Sequence, residues 1–446
     1  MKRKNTNISR RDFFKYSGAG LAGAAILVSP LGPFAAKAMA AFPPELDIEK
    51  EANLKVLRRN FLVAGEKDSW EANCRKWETI SGCKVVNEYI SWEEVRPKAA
   101  MSAVSGVGPD LAFGWNDDPH LYPDKLLDVS DVAEYLGAKY GGWEETCLKY
   151  GMRDGTWIAI PMGASGRQII YRISWVNEAG YSEFPETIDQ FIECSKKLKR
   201  MGHPVGFALG HAADDGNNFA CTWLWSFGAS TVDADGNPAL DSPETRNALE
   251  GMKELYSAMI PGCDSWLEGD NDDAYLAEKI SMTSNGISIY NASLNEPQWE
   301  KISRDTNHAS MPIGPVGKHS QLHLFNQAFI FRHTSVPNAA KHFLMFMLEK
   351  EQAEPWLSAM QGHVTPGLKA YRDLPVWTVD PKLTPYRDSV KNMVWTGYPG
   401  PIGPASAAVM AEYVVVDMFA NYCARGMSAD NAIARAEKAI ARAYER

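Results

Sequence analysis

The sequence predicts an α/β protein of two domains. Three observations predict it. Short runs rich in β-branched and aromatic residues alternate with amphipathic helical stretches, the 446-residue length exceeds what one hydrophobic core usually serves, and no internal repeat or long linker interrupts the pattern. Strands are expected at 83–91 (CKVVNEYIS), 109–115 (PDLAFGW), 157–162 (WIAIPM), 168–173 (QIIYRI), 205–210 (VGFALG) and 324–332 (LFNQAFIFR). Between them, Thr187 and Gln190 form a capping box after Pro185; apolar Ile188, Phe191, Ile192 and Leu198 follow and Gly202 closes the helix. Asp233–Asn237 (DADGN) reads as a hairpin turn, its glycine being misplaced for a calcium loop. Pro337 opens a helix whose inner face holds Ala340, Phe343, Leu344 and Met347. Near the end, Ile433, Ala436, Ile440 and Ala443 form an apolar stripe, with Arg435, Lys438 and Arg442 on the outer face.

The first 40 residues read as an address. Ser9-Arg10-Arg11-Asp12-Phe13-Phe14-Lys15 has the form of a twin-arginine export signal, preceded by Lys2, Arg3 and Lys4. A modest apolar stretch follows, broken by Gly18, Gly20, Gly23, Pro30 and Pro33, and then Ala38-Met39-Ala40, a small-x-small cleavage site. A spanning anchor wants roughly 20 uninterrupted apolar residues, which this stretch lacks. Cleavage near Ala40 and an exported, periplasmic protein starting near Ala41 are expected.

Charge excludes another class. The chain carries a formal −9; without the first 40 residues, 39 bases and 54 acids remain, or −15. That opposes binding to nucleic acid or an anionic membrane.

No cofactor is expected. The G-x-G-x-x-G match at Gly18–Gly23 lies in the leader and follows no strand. In the stretch ending GPVGKHS, Pro312 stands where a phosphate loop has its first glycine, and His319 replaces the Ser/Thr. The seven cysteines (74, 83, 147, 194, 221, 263 and 423) form no C-x-x-C pair, so a metal cluster has no local support. A Cys74–Cys83 bridge and buried free thiols both remain open.

From GPDLAFGWNDDPHLYPDKLLDVSDVAEYL onward the chain resembles the bacterial extracellular solute-binding proteins, family 1, the sugar-binding components of ABC importers. The segment Leu127–Asp131, then Gly155, Trp157 and Pro161, then Tyr171 follow that family's order. EAGYSEFPETIDQF, LWSFGAS, LDSPET, MPIGPVG and SVPNAAKHFLMFML continue it. The resemblance implies a periplasmic-binding-protein type II-like fold, two α/β lobes that close on a ligand between them. Lobe 1 would comprise 41–160 and 311–352, and lobe 2 would comprise 161–310 and 353–446. Crossings would fall near Pro161, near Pro312–Pro315 and around 350–365. It also implies a monomer that delivers its ligand to the permease subunits of an ABC importer.

Sugars and polyols present an apolar face and a rim of hydroxyls, which aromatic rings and Asp, Asn or Arg side chains recognise. Trp115, Asn116 and Asp117 combine both at the carboxyl end of an expected strand, where α/β folds place ligand loops. Trp92 follows the preceding strand in the same way. In the second lobe, Asn218 and Trp223 come from DDGNNFACTWLWSFG; Trp223 and Trp225, two apart on a helix, face different ways, and Trp223 is the one assigned to the cleft. Trp266 and Asn271 precede a helix, Asn285 and Tyr290 sit at a strand end, and Trp395 lies with Tyr398 in a turn-rich loop. Family members often carry a tryptophan where Ile287 and Ser288 stand, so the stacking pattern departs from theirs. Arg167 is the nearby candidate for an anionic group, and Trp157 and Trp356 are expected in the core.

The competing class is an exported glycoside-acting enzyme. Adjacent acids occur at 93–94, 117–118, 214–215 and 272–273, but neighbours on a strand point to opposite faces and do not flank one bond. Neither H-E-x-x-H nor G-x-S-x-G is present.

Overall fold

A computed structural model describes residues 42–61 and 63–445, with the backbone alone at 64, 92 and 93. The twin-arginine motif and its cleavage site lie outside the described residues.

Strand β1 (Asn53–Arg59) was not anticipated. Leu54 and Val56 alternate inward in the expected way, but Leu57 and Arg58 at its carboxyl end are buried too. It pairs in parallel with β2 (Lys84–Ile90) and with β3 (Leu111–Trp115). The helices Ala64–Ser81 and Trp92–Ser105 connect these strands, as parallel pairing requires.

The run at 157–162 divides. Trp157 closes a two-stranded ribbon, β4 (Met152–Arg153) with β5 (Thr156–Trp157), and β6 (Ile160–Ser165) begins afresh. Pro161 is tolerated because β6 is a sheet edge and because the ladder slips opposite Asn326 and Gln327. Gly163, at φ 125°, is needed where a Cβ would collide with the Thr365 carbonyl oxygen. Across 166–167 the chain leaves this sheet and enters another, of β7 (Gln168–Arg172), β8 (Met282–Asn285) and β9 (Thr306–Ala309), ordered β8-β7-β9 and antiparallel throughout. Across 310–323 it returns to β10 (Leu324–Ile330), which completes the five-stranded sheet β2-β1-β3-β10-β6.

The run at 205–210 forms no strand. It keeps one bridge, Val205 to Met259, and two further N–H bonds, from Gly206 to the Met282 carbonyl and from Leu209 to the Cys263 carbonyl. Trp266 packs where a side chain of Gly206 would stand: a Cβ there would lie 2.5 Å from its ring. The helical signals hold. The capping box opens Ile188–Arg200, Pro337 opens Pro337–Leu348, and the final helix Ala429–Tyr444 buries the stripe from Ile433 to Ala443. Asp233 receives the N–H groups of Asp235 and Asn237 and closes the expected hairpin turn.

All seven cysteines are free thiols, six of them buried. Burial pushes the Cys74 thiol up to about 11.

Candidate functional site

The carboxyl end of β1, the 166–167 crossing and the start of a helix in the second region converge on one polar cluster. Its centre is Arg167. The sequence places it between the two sheets, and Gly286 lacks a side chain where one would touch its guanidinium, at 2.7 Å. Arg167 pairs with Asp214, and its Nε lies 3.4 Å from Asp215. The reading of this acid pair as strand neighbours on opposite faces is corrected here. Asp214 caps and Asp215 opens the helix Asp215–Ser226, so both side chains reach the same guanidinium.

The surrounding amides hold these acids. Asn218 donates to Asp214; Asn271 donates to Asp215 at 3.1 Å and also to Thr283 Oγ1 and the Ser284 carbonyl. Asn285 and Ser288 donate to Asp272, and the Asp214 N–H is donated to Glu268. Burial pushes the Asp215 carboxyl well up; Arg167 opposes this, and Glu268 and Asp272 reinforce it. Burial likewise raises Asp272 to about 6.

Basic groups complete the cluster. Arg59 donates to His363 Nε2 at 3.0 Å. Burial lowers Arg59 to about 10, with Glu66 opposing and Arg58 and Arg167 adding to the fall. Burial and the two arginines also keep His363 neutral. The Arg167 backbone N–H is donated to His323 Nδ1 at 3.0 Å, so that ring's proton sits on Nε2. Tyr386 is fully buried and feels the Arg167 charge.

Of the residues picked from sequence, Arg167, Asn218, Asn271 and Asn285 meet in this cluster. Trp115 ends β3 and lines a small cavity with Arg59. Asn116, at φ 48°, has its amide oxygen and N–H committed to the Phe325 backbone, so it pins β3 to β10. Asp117 is buried and paired with Arg96 at 2.9 Å. Trp266 packs over Gly206, Tyr290 donates to Asp380 at 2.7 Å, and Trp395 donates to the Gly400 carbonyl at 2.8 Å. Trp92 opens its helix, but its side chain lies outside the described residues.

Trp223 is a correction. The two helical tryptophans do face different ways, but Trp223 packs in the core, with 0 % exposure and its indole N–H donated to the Ala248 carbonyl, and Trp225 is buried too. Trp225 instead turns toward Tyr398 of the 395–400 loop, ring centroids 6.0 Å apart. Trp356 is buried as expected, yet it borders the cavity beside Trp115.

Sequence reasoning missed Arg58, Arg59, Glu66, Glu268 and Asp272 as a set. The available signal was the alternation of Leu54 and Val56 running into an Arg-Arg pair just before a helix.

The model of the bacterial extracellular solute-binding proteins matches residues 75–385. A binding protein of Brucella abortus is 24 % identical over 278 residues, which is 59 % of this chain and 64 % of that protein, so the match spans less than two thirds of the relative's own length. The diacetylchitobiose binding protein DasA of Streptomyces coelicolor is 27 % identical over 134 residues, 29 % of this chain and 31 % of its own. Among solved structures, the GacH receptor of Streptomyces glaucescens superposes with a TM-score of 0.72 at 14 % identity, covering 89 % of this chain and 99 % of its own. Maltose-bound MalE3 of T. maritima gives 0.72 at 19 %, covering 87 % and 99 %. A ribitol complex from Agrobacterium radiobacter gives 0.70 at 16 %, covering 89 % and 99 %. At these identities the likeness establishes the fold, that of the maltose-binding-protein-type periplasmic binding proteins. Family and fold agree with the order of elements described above, and this chain belongs to the bacterial extracellular solute-binding proteins.

Proposed function

We propose that this protein captures a small neutral polar ligand, a sugar or polyol, in the periplasm and delivers it as a monomer to the permease subunits of an ABC importer. The two sheets are then the cores of two closing lobes, with the first crossing at 166–167, after β6, and not at Pro161. The observation that carries this reading is the cluster around Arg167. It stands at the crossing between the sheets, with Arg59 and His363 contributed from one side and Asp214, Asp215 and Asn285 from the other. Such a mixture of fixed donors and acceptors suits a rim of hydroxyls. A ligand bridging both sides is held by both in the closed form and by one in the open form, and that difference in affinity shifts the population toward closure.

The solved neighbours support the ligand class: GacH was seen with acarbose, MalE3 with maltose and the Agrobacterium protein with ribitol. The leader supports export by the twin-arginine route with cleavage near Ala40. A thermal-shift screen over monosaccharides, oligosaccharides, polyols, glycerol phosphates, amino acids and metal ions tests the reading. Stabilisation by neutral sugars or polyols is expected, and stabilisation by amino acids or metal ions alone would refute it.

A further inference from the structure

The seven thiols are a group that ligand binding does not use. Six are buried, Cys147, Cys194 and Cys263 without any exposure, and Cys423 is half-buried. None is in a disulfide, and several have partners of another kind. Cys83 donates to the Glu49 carbonyl at 3.0 Å, and Cys221 and Cys263 lie against the thioether sulfurs of Met410 and Met259, at 3.9 and 3.5 Å. Cys147 is packed so closely that a Cβ on Gly367 would lie 2.5 Å from its sulfur. The native fold therefore has no disulfide for oxidation to complete, and any bridge formed on this chain is a non-native one.

Folding also decides whether these thiols react. The attacking species in disulfide exchange is the thiolate. On the unfolded chain a thiol titrates near 8.5, so roughly a tenth is thiolate at pH 7.5. In the folded protein burial pushes Cys194, Cys221, Cys263 and Cys423 up to about 12, and Cys74 up to about 11. Almost no thiolate remains at these positions, and a buried sulfur is closed to an oxidising protein as well. Reactivity is thus confined to the interval before the chain folds.

In an oxidising compartment that interval is damaging. A thiolate of the unfolded chain attacks the disulfide of a dithiol–disulfide oxidant, forming a mixed disulfide and releasing one oxidant thiolate. A second chain thiolate attacks the chain's sulfur in that mixed disulfide, closes a bridge and releases the other oxidant thiolate. Two electrons pass to the oxidant, whose two thiolates take up the protons that the chain's thiols gave to solvent. Cys74 and Cys83, nine residues apart, close the shortest loop and meet soonest. In the fold, Cys74 belongs to the helix Ala64–Ser81 and accepts from Asn87 of β2 at 3.8 Å, and the same Asn87 accepts from the buried Trp70 indole at 3.1 Å. Cys83 is turned to the Glu49 backbone instead. A bridge of about 2.0 Å between the two sulfurs takes both from these partners and disturbs the joint between that helix and the first sheet.

We propose that this protein has to fold in a reducing compartment before export, and that its twin-arginine leader keeps the thiols out of the oxidising periplasm until the fold has enclosed them. The inference rests on the export reading above and goes beyond it, because the reason for exporting a folded chain then lies in the chain's own cysteines.

Two experiments test the thiols and the leader separately. In the first, the mature protein is unfolded in urea with reductant and refolded with either dithiothreitol or oxidised glutathione. Melting temperature reads the fold, and mass after alkylation in denaturant counts the thiols. Refolding with dithiothreitol should return the native Tm with seven alkylated cysteines. Refolding with oxidised glutathione should return less than about a tenth of the native protein. Protein already folded and then held in oxidised glutathione should keep all seven thiols. Full recovery under oxidised glutathione, or loss of thiols from the folded protein, would overturn the inference whatever the export route. In the second, residues 1–40 are replaced by a leader for the unfolded-chain route, in a bacterium with a periplasmic dithiol–disulfide oxidant. Periplasmic yield should fall at least about tenfold and the chains should carry bridges, and a host lacking that oxidant should restore the yield. Equal yield with seven free thiols, or a loss that the oxidant-free host leaves in place, would overturn it. Normal export of Arg10→Lys with Arg11→Lys behind the native leader would overturn the role given to the leader, and refolding would still decide the thiol requirement.

Discussion

Trp223→Ala separates core from cleft. The side chain is fully buried, its ring centre lies 5.5 Å from Phe227 and 6.1 Å from Phe219, and its indole N–H reaches the Ala248 carbonyl at 2.9 Å. It is wedged between the helices Asp215–Ser226 and Pro243–Tyr256, close enough that a Cβ on Gly251 would lie 3.3 Å from it. Truncation forfeits roughly 150–250 Å² of aromatic burial, about 4–6 kcal/mol at 25 cal/mol per Å². Partial relaxation of the helices reduces this to about 3–5 kcal/mol. At about 2.1 cal/mol/K per residue over some 400 residues, the unfolding entropy is near 0.8 kcal/mol/K, so Tm should fall by about 4–6 °C, and by about twice that if one lobe unfolds alone. Differential scanning calorimetry without ligand reads the shift, and titration of the folded variant reads affinity, which should stay within about twofold of wild type. A Tm within about 1 °C of wild type, with affinity reduced fivefold or more, would refute the assignment of Trp223 to the core.

Trp115→Ala should behave in the opposite sense, losing about 1–3 kcal/mol of ligand binding, a factor of roughly 5–150, by titration. For pH, the raised carboxyl of Asp272 (about 6) means that the folded protein holds its proton where the unfolded chain has lost it. Its contribution to stability therefore falls as pH rises from about 4 to 6 and is flat above. Asp272→Asn should thus gain about 1–3 kcal/mol on wild type at pH 8 relative to pH 4, read by urea unfolding, and an unchanged difference would count against the buried charge. Gly163→Ala should lower Tm clearly, because a Cβ there meets the Thr365 carbonyl at a φ of 125°. Arg10→Lys with Arg11→Lys should leave precursor in the cytoplasm, and normal periplasmic yield on fractionation would argue against the twin-arginine route.

The elements most legible in the sequence were those whose local chemistry and tertiary role agree. The Thr187–Gln190 box and the Ile433–Ala443 stripe needed no knowledge of their neighbours. β1 was missed because three of its seven residues are charged, and Arg58 is tolerated inside only through Glu66, Phe61 and Trp70, a compensation invisible in a hydropathy pattern. The run at 205–210 looked like a strand because an apolar run does not show whether a ladder partner will lie along it, and here a single bridge, Val205 to Met259, forms. For the cluster, polar residues near expected element ends were found one by one. Their grouping around Arg167 depends on which sheet each element joins, and helical spacing could show that Trp223 and Trp225 diverge without showing which way the core lay.

The central claim is that one small polyhydroxylated molecule is bound and left unchanged. Titration calorimetry of the mature protein with the best stabilising sugar or polyol, followed by chromatographic analysis of the recovered ligand, tests it most directly. The account predicts saturation at one ligand per chain and quantitative recovery of intact ligand. Steady heat from turnover with altered product, or no saturable binding to any neutral sugar or polyol, would contradict it.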